Sequence, residues 1–291
     1  MQPVEKPLPK PDWLKVKLPT GAAYQKVKEI IDTHDLHTVC ESAACPNRGE
    51  CWSSSTATFM ILGNVCTRSC GFCNVITGKP TELDLEEPWR VADAVQRMGL
   101  KYAVITSVNR DELKDGGANV WAKTIQEVRR STEGRCQVEV LIPDFMGNWE
   151  NLDIVLAEKP DVLNHNIETV PRLYLPVRPQ GNYKRSLELL LRAKEAGMTT
   201  KSGLMVGLGE SIEEVFAVLD DLQKSRVDIV TIGQYMQPTP NHLPVARYVH
   251  PDEFKSFEVY GQDKFAAVFS GPLVRSSYHA GEVLERTIRQ A

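Results

Sequence analysis

The sequence has no apolar run approaching the ~18 to 20 residues that a membrane-spanning helix needs, and its opening stretch, MQPVEKPLPKPDWLKVKLP, lacks the apolar core of a secretory signal. No run of Lys and Arg is long enough to track a phosphate backbone, and the formal net charge is -4. These absences predict a cytoplasmic protein with neither a membrane nor a nucleic acid as partner. Histidines are few. The six, at 34, 37, 165, 242, 250 and 279, show no metal-ligand spacing, so none is assigned catalysis, although His165 falls on a strand and His279 lies beside the RSSY segment. Cysteine is nearly absent outside one stretch: six of the seven lie between Cys40 and Cys73, and only Cys136 stands elsewhere. An odd count in a long chain with no export signal argues against a disulfide framework and for metal or cluster binding.

At 291 residues, 42% of them hydrophobic, the chain can bury one large core. Residues 1–20, rich in Pro and Lys, are expected to form an extended arm over the surface. Val27, Ile30 and Ile31 predict a short helix over 22–33, and Pro46 and Gly49 predict that the cysteine-bearing CESAACPNRGEC after it is a loop. From Ala57 onward six β-rich runs alternate with helical patterns such as VADAVQRMG and IEEVFAVLDDLQKS. The runs are TFMIL, KYAVITS, QVEVLIP, DVLNHNIE, TTKSGLMVG and VDIVTIGQY. This alternation predicts parallel βαβ units and an α/β fold, taken as a partial (β/α)6 TIM-like barrel with N-terminal and C-terminal extensions. A doubly wound sheet would give the same one-dimensional pattern. The expected division is an N-terminal arm and cysteine loop over 1–56, the barrel over 57–236 and a C-terminal extension over 237–291. In either architecture the chemistry belongs at the carboxyl ends of the strands.

CTRSCGFC places Cys66, Cys70 and Cys73 just after the first predicted strand. Offsets of four and seven would also put three thiols on one helix face, but Gly63, Asn64 and Gly71 bracket or interrupt the segment. Three thiolates can hold a 4Fe-4S cluster by three corners and leave one iron open to a substrate. This C-x3-C-x2-C spacing, with Phe72 directly before the last Cys, resembles the signature of the radical S-adenosylmethionine (SAM) superfamily. In that superfamily the open iron chelates SAM, and the reduced cluster cleaves it to a radical able to take hydrogen from an unactivated carbon.

The other triplet, Cys40, Cys45 and Cys51, has C-x4-C-x5-C spacing, which fits no single helix face. Zinc is the alternative metal, but zinc sites usually draw cysteines in close pairs and want four ligands. Cys136 could be a fourth thiolate by chemistry, yet its place at the start of a strand suits a small buried hydrophobe. Together the two triplets resemble the lipoyl synthase family. The resemblance extends over most of the chain, including TSVNRDELKDGGA, NHNIETV, LMVGLGE, GQYMQPT and RSSYHAGE. It implies that Cys66, Cys70 and Cys73 hold the SAM-binding cluster. It also implies that Cys40, Cys45 and Cys51 hold an auxiliary 4Fe-4S cluster whose fourth ligand is a serine of RSSY, carried here to Ser277 with Ser276 as the alternative. Arg275 beside them could screen cluster charge or be a solvated arginine.

For SAM itself, the resemblance implies contacts from Phe72, Ser107, Asn109, Glu168, Arg178, Gly203, Gly207 and Glu210. Glu168 is suited to the ribose hydroxyls and Arg178 to the SAM carboxylate. The implied reaction is that of a radical SAM sulfurtransferase, which inserts two sulfur atoms, at C6 and C8 of a protein-bound octanoyl-lysine. Two SAM molecules are used per lipoyl group, and the auxiliary cluster is the sulfur donor. The implied partners are an octanoylated lipoyl carrier protein or domain, a ferredoxin or flavodoxin-type reductant and an iron-sulfur cluster carrier. Val206 and Met236 are candidates for an apolar substrate passage, with plain core as the other reading. The rival functions are an electron carrier with two clusters and another radical SAM enzyme with an auxiliary cluster.

Overall fold

A computed structural model describes residues 8–15, 21–53, 56–277, 280–282 and 284 of the chain. Its frame is a sheet of parallel strands: β1 (Thr58–Ile61), β2 (Tyr102–Ser107), β3 (Gln137–Leu141), β4 (Val162–Asn164), β5 (Thr200–Val206), β6 (Ile229–Gln234) and β7 (Ala267–Gly271). Neighbours in the sheet follow chain order throughout, and each adjacent pair of these seven is parallel; the two residues His37–Thr38 add a short antiparallel edge against β1. A doubly wound sheet reverses its strand order at a switch point, and no reversal occurs here. The fold is therefore an open, partial TIM-like barrel. Ten α-helices are described: α1 (Ala22–Thr33), α2 (Val39–Ser42), α3 (Arg48–Ser53), α4 (Glu87–Met98), α5 (Ala118–Ser131), α6 (Trp149–Ala157), α7 (Tyr174–Val177), α8 (Tyr183–Glu195), α9 (Ile212–Lys224) and α10 (Pro251–Gly261).

Strand alternation sorts the side chains. Ala103, Ile105, Val138, Val140 and Leu163 are fully buried among the apolar side chains of the core. The residues between them face the barrel interior and include charged ones. Lys201 Nζ donates to both Glu139 oxygens at 3.0 and 3.1 Å, Asn164 Nδ2 donates to Glu139 Oε1 at 2.9 Å, and Tyr102 OH donates to Oε2 at 2.6 Å. One cross-linked layer thus spans β2 to β5.

All six predicted strands form, and three expectations need correction. The stretch after residue 236 adds β7, which pairs with β6 in register from Ala267–Ile229 to Gly271–Gly233. The first cysteine group is not wholly a loop: α2 carries Cys40 and α3 carries Cys51, leaving Ala43–Asn47 as the turn between them. Packing overrides Gly49 there, because Trp52 is fully buried against Tyr24 with ring centroids 5.1 Å apart. The N-terminal arm is not merely superficial. Leu14, in a short 3-10 turn, is buried, and Trp13 meets His250 edge-on; residues 1–7 and 16–20 lie outside the described residues. Among the described residues no helix is long and apolar enough to cross a membrane.

Candidate functional site with two cysteine centres

Cys66 ends a two-residue strand, Val65–Cys66, paired with Ile76–Thr77, and the backbone from there to Cys73 is irregular, so its thiols are not on a helix face. The segment begins at the carboxyl end of β1, after a turn in which Glu87 of α4 accepts from Leu62 N at 2.6 Å and Gly63 N at 3.2 Å. Cys66 Sγ accepts from Asn109 N at 3.2 Å. Arg68, buried, holds the loop by donating to both Asp111 oxygens at 2.7 and 2.8 Å and to Asp144 Oδ1 at 2.6 Å. Gly71 donates to Val177 O and accepts from Leu243 N; a Cβ there would stand 2.8 Å from both Leu243 Cδ1 and Pro176 O. Ser69 and Gln180 exchange two further hydrogen bonds, and His242 Nε2 lies 3.0 Å from Cys73 O. The loop is fixed from four directions.

Polar groups without partners gather at the carboxyl ends of β2 and β4. Ser107 Oγ, Asn109 Oδ1, Asn166 Oδ1 and Thr169 Oγ1 are buried and have no hydrogen-bond partner among the described residues. A native interior seldom leaves such atoms unpaired, so they suit a bound polar ligand. Glu168, half-buried, adopts left-handed backbone at φ 68, where a residue other than glycine is uncommon. Burial raises its carboxyl, opposed by Arg178 and Asn166. Arg178, buried, lies over the Tyr174 ring and spends Nη1 on Asn166 O at 2.8 Å and the Tyr174 hydroxyl at 3.2 Å.

The glycines expected near a ligand are places of close approach. A Cβ on Gly203 would lie 2.7 Å from Thr231 Oγ1 and 2.9 Å from Asn166 Oδ1. Gly207, at φ 98, would meet Gln234 Nε2 and the Arg247 carbonyl. Glu210 is committed to its own turn, accepting from Gly207 N at 2.6 Å and Leu208 N at 2.9 Å. Phe72 and Met236 are half-buried, whereas Val206 is fully buried in the core. His165 is satisfied twice: its Nδ1 donates to the Ile142 carbonyl at 2.8 Å, which leaves Nε2, 2.9 Å from Ser186 Oγ, as the acceptor.

The second centre is assembled from both ends of the chain. Cys40, Cys45, Cys51, Tyr102, Arg275 and Ser277 all line one cavity of about 400 Å³. Asn47, buried in the turn between Cys45 and Cys51, donates to Leu273 O at 2.7 Å and so ties the C-terminal segment to the cysteine turn. Ser276 faces elsewhere, its Oγ 3.5 Å from Asn166 Nδ2. Cys136 is buried in the core, and His279 lies outside the described residues. The two centres are linked directly by Asn74 Nδ2, which donates to Ser42 O at 2.8 Å.

Burial, then the neighbouring Cys40 and Cys45 thiols, pushes Cys51 up to about 12. Burial likewise raises Cys40, takes Cys73 to about 12 and takes Cys70 to about 11 against the opposing charge of Arg178. As free thiols these groups hold their protons at neutral pH, and binding a metal must displace them. Among the described residues no three Cys, His, Asp or Glu side chains are grouped closely enough to hold a single metal ion. Sequence reading missed Asn47, Arg68, Asp144 and Asn166. Only Arg68, inside CTRSC, carried any local signal; the others act across distances that spacing does not encode.

A family model described as the radical SAM superfamily matches residues 60–222, and one described as the N-terminal domain of lipoyl synthase matches residues 3–45. A lipoyl synthase of Rubrobacter xylanophilus is 60% identical over 285 residues, covering 97% of this chain and 88% of that protein. A mitochondrial lipoyl synthase of Nematostella vectensis is 54% identical over 274 residues, covering 94% of each chain. Among solved structures, a methylornithine synthase (PylB) superposes with a TM-score of 0.57 at 13% identity, over 92% of this chain and 74% of that one. SuiB of Streptococcus suis bound to S-adenosylmethionine gives 0.56 at 11% identity, over 75% of this chain and 51% of that one. These distant structures share the fold. The near-full-length relatives establish more: the chain belongs to the lipoyl synthase family of the radical SAM superfamily.

Proposed function

We propose that the chain inserts two sulfur atoms, at C6 and C8 of a protein-bound octanoyl-lysine, with Cys66, Cys70 and Cys73 holding the SAM-binding 4Fe-4S cluster. Cys40, Cys45, Cys51 and Ser277 would hold the auxiliary cluster, which is the sulfur-donating substrate. The observation that carries this reading is the convergence of Ser277 with the three N-terminal cysteines on one cavity. A 4Fe-4S cluster takes four anionic corners, and a partly buried set of three thiols and one hydroxyl supplies them. Ser277 is favoured over Ser276, whose hydroxyl is turned toward Asn166.

When bound, the first cluster and SAM supply the radical that removes hydrogen from an unactivated carbon. The chain's own part is positioning. Asn109 N, directed at Cys66 Sγ, orients that sulfur, while Arg68 anchored on Asp111 and Asp144 holds the loop in one geometry. The unpartnered Ser107, Asn109 and Asn166 oxygens suit the ammonium and hydroxyl donors of SAM. Glu168 suits the ribose, and the part of the Arg178 fork not spent on Asn166 suits the carboxylate. Gly203 and Gly207 keep backbone approach open, and Glu210 braces that turn. The Tyr102, Glu139, Asn164 and Lys201 layer closes the barrel interior beneath.

The family reading brings with it an octanoylated lipoyl carrier domain as substrate, a ferredoxin or flavodoxin-type reductant and an iron-sulfur cluster carrier. Seven free cysteines suit a reducing compartment, in keeping with a cytoplasmic location. Functionally the chain divides into the N-terminal segment to residue 56, the barrel over 57–236, and a segment over 237–291 that adds β7 to the barrel and carries Ser277. Anaerobic reconstitution with iron and sulfide counting, followed by single turnover with SAM, reductant and an octanoyl-lysine peptide, tests the proposal. About eight irons per chain and sulfur added to the peptide are expected. About four irons, lost on replacing Cys66, Cys70 and Cys73, would remove the auxiliary cluster and the sulfur chemistry with it.

A further inference from the structure

Arg275 lines the cavity shared by Cys40, Cys45, Cys51 and Ser277. Two buried arginines here meet carboxylates, Arg68 pairing with Asp111 and Asp144 and Arg110 with Glu112, while Arg178 bonds to Asn166 O and the Tyr174 hydroxyl. Arg275 meets no carboxylate among the described residues. Its Nη1 donates to the adjacent Val274 carbonyl at 2.6 Å, and the Cys45 thiol, on the same cavity, acts on it electrostatically. Glu50 and Glu282 also border the cavity, both exposed and with contacts of their own. A half-buried cation with no carboxylate partner among the described residues can meet an anion brought into the cavity it lines.

Room for this arrangement is built into β6. A Cβ on Gly233 would stand 2.1 Å from Val274 O and 3.1 Å from Arg275 Nη1, so only glycine lets the segment cross the strand at this point. The Asn47 bond to Leu273 O then fixes the same segment from the cysteine side. The guanidinium is thereby held at the cavity wall by two independent constraints.

We propose that Arg275 is the counter-charge for the cluster held in this cavity, setting its reduction potential and its hold on iron. The inference rests on the cluster assignment made above. An oxidised 4Fe-4S core with three thiolates and an alkoxide carries a net charge of about -2, and reduction adds another negative charge. A fixed cation at the wall favours the reduced form and steadies the charged ligand set. Arg275 is a positioning residue, acting through the field it sets and not by touching the carbon that reacts.

The test uses the full chain carrying Cys66→Ala, Cys70→Ala and Cys73→Ala, so that one cluster signal is read. Midpoint potential by EPR-monitored reductive titration, and the rate of iron loss to a chelator, are compared for this parent, Arg275→Gln and Arg275→Lys. Arg275→Gln is expected to shift the potential lower and to lose iron faster, and Arg275→Lys to stay near the parent in both. A Gln variant at the parent's potential overturns the proposal, as does a Lys variant that falls as far as Gln, since shape and not charge would then be responsible. Absence of iron in the parent would strike the cluster site itself, and this proposal with it.

Discussion

The side-chain amide of Asn47 and the main-chain carbonyl of Leu273 are joined by a 2.7 Å hydrogen bond across 226 residues of sequence. Asn47 sits midway through the first cysteine group, and Leu273 lies four residues before Ser277, so one bond sets the distance between the two halves of a cavity. Replacing Asn47 with Ala leaves a carbonyl unpaired and removes the tether, a change worth about 1 to 3 kcal/mol. Hydrogen exchange on the metal-free chain should show faster exchange across 272–277, with the sheet amides of β2 to β5 unchanged.

Gly233→Ala attacks the same segment from beneath. The added methyl would overlap Val274 O, and backbone at that spot cannot yield without moving the strap. Reconstituted protein should keep the iron of the Cys66 centre and lose that of the other, falling from about eight irons to about four. Gly197→Ala, at a helix end with nothing near its Cβ, is strained by the left-handed backbone at φ 87 and should lower stability yet keep the iron of both centres.

The buried Lys201 and Glu139 pair predicts an asymmetry in stability. Lys201→Met alone strands a carboxylate at the barrel centre and should cost about 3 to 5 kcal/mol in urea unfolding. Lys201→Met combined with Glu139→Leu should recover only part of that loss, because removing both charges ends the cost of burying either but leaves Tyr102 OH and Asn164 Nδ2 without their acceptor.

His165 predicts a pH dependence with a definite sign. Burial, then the nearby Arg178, lowers it to about 4, below the ~6.5 of an unfolded chain. The unfolded state therefore binds the extra proton first. Stability from this residue is complete above about pH 6.5 and is lost as pH falls toward 4, a contribution on the order of 3 kcal/mol. His165→Asn, which can still donate to the Ile142 carbonyl, should flatten the unfolding free energy across that window.

The six strands and the helices between them were legible because each carries a long apolar pattern of its own, as Tyr102–Ser107 and Ile212–Lys224 do. β7 was not: Ala267–Gly271 is half-buried along its whole length, so it carries neither an apolar run nor an in-and-out alternation. The helical turn at Arg48–Ser53 was hidden by Gly49 and is supported by what Trp52 packs against, which is tertiary information. Of the candidate site, the cysteines could be read from spacing alone. Asn47 and Asp144 could not, since a single buried amide or carboxylate has no local pattern and acquires its role from a partner far along the chain.

The bond from Asn47 to Leu273 also orders events in time. A chain emerging from the ribosome presents Cys40, Cys45 and Cys51 long before the strand and strap that complete their cavity exist. Throughout synthesis the N-terminal thiols face an unfinished wall, and the cavity closes only once residues beyond 273 have been made and docked. Completion of this cavity thereby waits on Leu273 and its neighbours, far along the chain from the cysteines they enclose.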